Sequence, residues 1–196
     1  MKKANNDQDH LASLQDYYAR HRVLPSYARL MDLLNFASKS AVKKVLERLE
    51  TAAMLERTPD GDWAPAQKFF ERFIANQPVP AGMPVASLDD ACETVAIDRL
   101  LIEKPTQTIL VRVKGDSMVD AGIHSGDLAV VQRRAHAVPG TIVLAVVDDE
   151  FTLKTLGRDK SGYHLLPANP AFPMIRPRGK LEIFGVLVGL VRKYST

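Results

Sequence analysis

The chain has 196 residues, 46% of them hydrophobic and 25% charged, with a net charge of +3. This is the mixture of an ordinary globular protein with room for one large or two small domains, and it excludes a disordered or fibrous chain. One cysteine, Cys92, excludes an intrachain disulfide framework and a cysteine-rich zinc site, and the five histidines lack ligand spacing, so no metal and no cofactor is expected.

Met1-Lys2-Lys3 leads into a polar stretch rather than an apolar leader, and Ile183 to Val191 is too short an apolar run to span a membrane. The cytoplasm is the expected compartment, with no membrane association. Residues 1–70 hold 11 Lys and Arg against 9 Asp and Glu, so any nucleic-acid case rests on where the charges lie.

Leu11, Leu14, Tyr17 and Tyr18 share one helical face, giving a first helix over about residues 8–21. Pro25-Ser26 starts a second helix with Leu30, Leu33 and Leu34 inward, and Asn35 suits its left-handed stop. Ser38 caps a third, whose buried stripe is Val42, Val45, Leu46, Leu49 and Ala53. Its other side offers Ser40, Lys43, Lys44 and Glu47. Two helices at a tight turn, the second exposing basic groups, form the plan of a helix-turn-helix. Pro59-Asp60-Gly61 then turns a small hairpin, and Trp63 is expected to pack it onto the helices. The sum is a winged helix over residues 1–65.

Phe69, Phe70, Phe73 and Ile74 suggest one short amphipathic helix, followed by the proline-punctuated Gln77 to Pro84. Residues 66–90 therefore read as a connecting segment. Residues 91–196 read as mostly β, with strands at Thr108–Val113, Asp127–Gln132, Thr141–Val147, Glu150–Leu156 and Glu182–Val191. Asp148, Asp149 and Glu150 look like a charged turn between two of them. The fold class is α+β in two domains.

Two residues in the β region could carry chemistry. Ser117 follows a strand end at Gly115-Asp116, where its hydroxyl can be exposed. Lys154 sits inside an otherwise apolar strand and shares its face with Thr152 and Leu156. A serine needs a base, and a lysine becomes one only when desolvation favours its neutral form. Taken alone, such a serine is an ordinary turn residue and such a lysine an ordinary solvated cation.

The wording around them changes that reading. Gly115-Asp116-Ser117-Met118, Gly126-Asp127-Leu128, Asp149-Glu150-Phe151-Thr152-Leu153-Lys154, Leu165-Leu166-Pro167-Ala168-Asn169-Pro170 and Phe184-Gly185-Val186 resemble the LexA/UmuD family of self-cleaving Ser–Lys peptidases. The resemblance implies Ser117 as nucleophile, Lys154 as general base and the backbone amides of Asp116 and Ser117 as oxyanion hole. It also implies a cut in the chain's own connecting segment between a small residue and glycine, which Ala81-Gly82 matches.

Pro25-Ser26-Tyr27 and Phe36 to Val42 resemble the family's DNA-binding domain. That implies Ser38, Lys39, Ser40, Ala41, Lys43 and Lys44 facing the major groove of operator DNA. Ser40, Lys43 and Lys44 depart from familiar members of the family, which carry Asn and acidic residues there, so a different operator is expected. The remaining implied partners are a second copy of the chain, joined through the β domain, and a RecA filament on single-stranded DNA. Two alternatives stay open: a UmuD-like polymerase accessory, and a repressor controlled by a ligand or partner without self-cleavage.

Overall fold

The computed structural model describes residues 6–74, 93–177 and 179–194. Ala81, Gly82 and Cys92 lie outside the described residues. The chain divides into two compact units, Met1–Ile97 and Asp98–Thr196.

In the first unit, α1 (Asp7–His21), α2 (Tyr27–Leu33) and α3 (Lys39–Thr51) precede a hairpin of β1 (Leu55–Arg57) and β2 (Trp63–Pro65). Local chemistry sets these boundaries. The Ser26 and Ser38 side chains accept hydrogen bonds from the Arg29 and Ala41 amides, filling the first-turn vacancies of α2 and α3. Asn35, with φ of 55°, ends the α2 segment in the left-handed region that Asn tolerates better than most residues. Gly61 turns the hairpin at φ of 85°.

Leu14, Leu30, Val42, Val45, Leu46, Leu49 and Leu55 form one core. Phe69, read from the sequence as part of the connecting segment, belongs to it as well, stacked edge-on against Tyr18 and Phe70. The single helix expected over Phe69–Ile74 is not formed. A 3₁₀ turn (Gln67–Phe70) gives way to strand β3 (Arg72–Ile74), which pairs with β4 (Glu93–Val95). That distant partner overrides the helical spacing of the aromatics.

After α4 (Ile97–Leu101), the second unit is a six-stranded antiparallel sheet. It comprises β5 (Thr108–Arg112), β6 (Leu128–Arg133), β7 (Ile142–Val147), β8 (Glu150–Asp159), β9 (Gly162–Leu166) and β10 (Glu182–Val191). Their spatial order is β5-β6-β10-β7-β8-β9. Strand alternation separates two apolar clusters. Val143, Ala145, Leu156, Leu165 and Val186 make one; Ala129, Val131 and Leu144 make the other.

Asp148 and Asp149, at φ of 50° and 65°, form the tight turn between β7 and β8. That turn fixes the register in which Lys154 stands opposite Val143. No helix among the described residues is long and apolar enough to cross a membrane.

Candidate active site

Ser117 lies in the loop between β5 and β6, where Gly115 reverses the chain at φ of 87°. Its neighbour Met118 is buried and anchors the loop. From the far side, the Ala168 amide donates to the Ser117 carbonyl at 2.9 Å, and Asn169 Nδ2 donates to the Asp116 carbonyl, also at 2.9 Å. Both carbonyls are thereby committed. The amides of Asp116 and Ser117 donate to no partner among the described residues, which leaves them available to an incoming oxygen.

β8 delivers Lys154. Its side chain is only 7% exposed, and Nζ lies 2.8 Å from Ser117 Oγ. Nζ is also 3.0 Å from Thr152 Oγ1 and 3.1 Å from the Leu153 carbonyl. Strand parity puts Thr152 on the lysine's face, so the three contacts fix the amine in one place. No carboxylate pairs with it among the described residues. Burial alone therefore acts on the amine and lowers its pKa from the ordinary lysine value. A lysine so placed can lose its charge and then accept a proton from the hydroxyl it touches. A cleft of about 230 Å³, lined by Val111, Val113, Met118, Ala129, Leu144 and Leu153, opens beside the pair. It has room for a small side chain and an extended backbone.

A charged pair, Asp127 with Arg192, steadies the loop. Buried Asp127 accepts from Arg192 Nε at 2.6 Å, from Arg192 Nη2 at 2.7 Å and from the His124 amide at 2.8 Å. The Arg192 side chain and that amide hold the Asp127 carboxyl down to about 2, so it stays ionised wherever the lysine could titrate. Arg192 Nη2 also donates to the Gly122 carbonyl, tying the end of β10 to the Ser117 loop. Sequence reasoning assigned no role to Asp127, Asn169 or Arg192. The first two lay inside the family wording, but Arg192 is 65 positions from its partner and carried no local signal.

In the first unit, Ser38 caps α3, and its hydroxyl is 3.1 Å from that of Ser40. Lys39, Ser40, Lys43 and Lys44 are exposed, while Ala41 is half-buried. Arg48 grips Asp7 with two nitrogens, at 2.8 and 2.6 Å, and so braces α3 against α1. Trp63 Nε1 donates to the Tyr27 hydroxyl at 3.1 Å, and the Arg57 guanidinium covers its ring at 3.4 Å. The hairpin is held to the helices through this aromatic. No cluster of residues able to hold a metal ion exists among the described residues.

The Peptidase S24-like family model matches residues 73–188, a span holding both Ser117 and Lys154. The LexA repressor of Alcanivorax borkumensis is 34% identical over 97% of this chain and 96% of its own. LexA repressor 1 of Xanthomonas campestris pv. campestris is 35% identical over 93% and 94%. Protein SamA of Salmonella typhimurium is 42% identical, over 58% of this chain and 80% of its own. With a family model over more than half its length and LexA repressors alike over nearly all of it, the chain belongs to the LexA-like proteins of the Peptidase S24-like family.

Proposed function

We propose that this chain is a transcriptional repressor that ends its own action by cutting itself. The first unit is read as a winged helix-turn-helix. Its third helix enters the major groove of operator DNA with Ser38, Lys39, Ser40, Ala41, Lys43 and Lys44 toward the duplex, and the β1–β2 hairpin serves as the wing. Two copies, joined through their second units, occupy two half-sites.

Neutral Lys154 takes the proton of Ser117 Oγ as that oxygen bonds to the carbonyl carbon of Ala81. The Asp116 and Ser117 amides donate to the resulting oxyanion. When the tetrahedral centre collapses, the C–N bond to Gly82 breaks and the leaving amine takes the proton from Lys154. Water, deprotonated by the same lysine, then hydrolyses the acyl ester and restores Ser117. Docking a segment of the same chain replaces a bimolecular encounter by an intramolecular one. A RecA filament on single-stranded DNA is the trigger we assign to that docking.

Cleavage separates the DNA reader from the dimerising unit. Two linked readers bind with an avidity that two separate ones lack, so repression ends without damage to either fold.

The observation that carries this reading is the 2.8 Å contact between a buried, carboxylate-free lysine and a loop serine. The LexA repressors match both units, whereas 58% of the chain, the share matched by Protein SamA, is too little to cover both. The test is intact-mass measurement after incubation from neutral to alkaline pH. Wild type should yield pieces of 81 and 115 residues, faster as pH rises, and Ser117→Ala should yield none. An intact wild-type chain, even with an activated RecA filament, would remove the peptidase and leave a repressor released by some other ligand.

A further inference from the structure

We infer that Lys44 reads guanine, so that each operator half-site carries a guanine opposite the middle of α3 and disfavours adenine there. This rests on the repressor reading above and adds the base chemistry to it.

Val42, Val45, Leu46 and Leu49 turn one side of α3 inward. At 100° per residue, the midline of the opposite side runs through Ser40, Lys44, Glu47 and Thr51. Groups on a helix midline meet base edges in a major groove, while those on its flanks meet the phosphate walls.

Most polar groups on this side are already engaged. The Ser40 hydroxyl faces that of Ser38, which also receives the Ala41 amide. Thr51 Oγ1 donates back to the Glu47 carbonyl at 2.9 Å. Glu47, on the midline, is engaged in an ion pair with the flanking Lys43 at 3.6 Å. Arg48 spends two nitrogens on Asp7 and the third on the Lys44 carbonyl at 3.2 Å. Lys44 Nζ has no ion-pair partner among the described residues, and its side chain is exposed.

The midline therefore offers a free ammonium, which has three donors and no acceptor. In the major groove guanine presents two acceptors, N7 and O6, whereas adenine pairs one acceptor with an N6 donor and cytosine presents a donor. Reading adenine with a bidentate contact takes a side-chain amide, and α3 contains neither Asn nor Gln. Donors matched to two acceptors favour guanine by about 10-fold over a base that turns a donor toward them.

The experiment selects duplexes from a random pool with the full-length protein, then maps guanine N7 methylation that interferes with binding. Wild type should lose about 10-fold in affinity when one guanine per half-site is methylated. Lys44→Ala should bind methylated and unmethylated duplexes alike at that guanine and keep its other interference positions. Lys44→Gln should shift the preference at the same position toward adenine.

Interference that persists unchanged in Lys44→Ala would overturn the inference. So would a Lys44→Ala variant that loses affinity uniformly with a shallower salt dependence, since that marks a phosphate contact. A pool from which nothing is enriched would overturn the repressor reading itself.

Discussion

Among the described residues, every residue buried as a whole in the first unit is apolar, while the second unit buries Asp127, Gln132, Lys154 and His164. The difference fits the work proposed for each unit. A helix that reads a duplex acts through its exposed face, and its interior needs only to hold that face rigid. A peptidase of the proposed Ser–Lys kind needs an amine that can lose its charge, and burial favours that loss.

The second unit also contains its own contrast. Asp127 is buried with a guanidinium against both oxygens and stays ionised, held down to about 2. Lys154 is buried with a hydroxyl, a threonine and a carbonyl for company, and it is pushed toward neutrality.

The largest effect is expected where that contrast is erased. Lys154→Arg keeps a cation that does not deprotonate in proteins, so self-cleavage should fall by about 10²–10⁴-fold and lose its rise with pH. Lys154→Met should be equally inactive yet melt at a higher temperature at pH 7. The reason is the lowered pKa of the buried lysine. Below that pKa the folded chain carries the full penalty of a buried charge. Between it and 10.5 the unfolded chain binds a proton that the folded one does not, so wild-type stability climbs with pH toward the Met variant. Melting curves at several pH values, beside mass spectra, check both claims. An Arg variant that cleaves with the wild-type pH profile would end the general-base assignment.

A smaller effect separates the two units by packing. A Cβ at Gly185 would sit 2.5 Å from the Gln132 carbonyl oxygen and 2.8 Å from Val131 Cγ1. The first of these is backbone of the neighbouring strand, so relief requires β10 to move off β6. Gly185→Ala should cost about 1–3 kcal/mol. Trp63, the chain's one tryptophan, reports on the first unit, and hydrogen exchange of the β6 and β10 amides follows the sheet. In denaturant the sheet's transition should shift while the Trp63 transition holds. Equal shifts would mean that the two units unfold as one.

Legibility in the sequence tracked the range of the interactions. Ser26, Asn35 and Ser38 act on amides and carbonyls a few residues away, so the helix ends could be read directly. The same holds for Pro59-Asp60-Gly61 and for the Asp148-Asp149 turn. The face shared by Thr152 and Lys154 followed from strand parity alone.

What escaped was non-local. β3 and β4 are three residues each and exist because they pair with each other, so neither carries a pattern of its own. β9 hides behind a buried histidine packed against Gly157, where a polar residue masks the strand's alternation. The bond of Arg192 to Asp127 joins the last strand to the loop before β6 and has no signature at either end. The meeting of Ser117 with Lys154, 37 positions apart, was suggested by family wording rather than by any spacing rule.

The smallest expected effect lies at the start of α3. Ser38→Ala removes the acceptor for the Ala41 amide and should lower the first unit's stability by about 1 kcal/mol, read from the Trp63 transition. Ser38→Gly should lose only a few tenths, because glycine lets water reach the vacant amides and adopts the cap's backbone freely. The same substitutions free the Ser40 hydroxyl from its 3.1 Å neighbour and place a new donor and acceptor on the midline of the helix. Operator affinity should therefore change by more than the stability loss explains, while self-cleavage, carried by the other unit, stays at the wild-type rate. A cleavage rate that falls with Ser38→Ala would show that the two units are coupled through more than the segment that joins them.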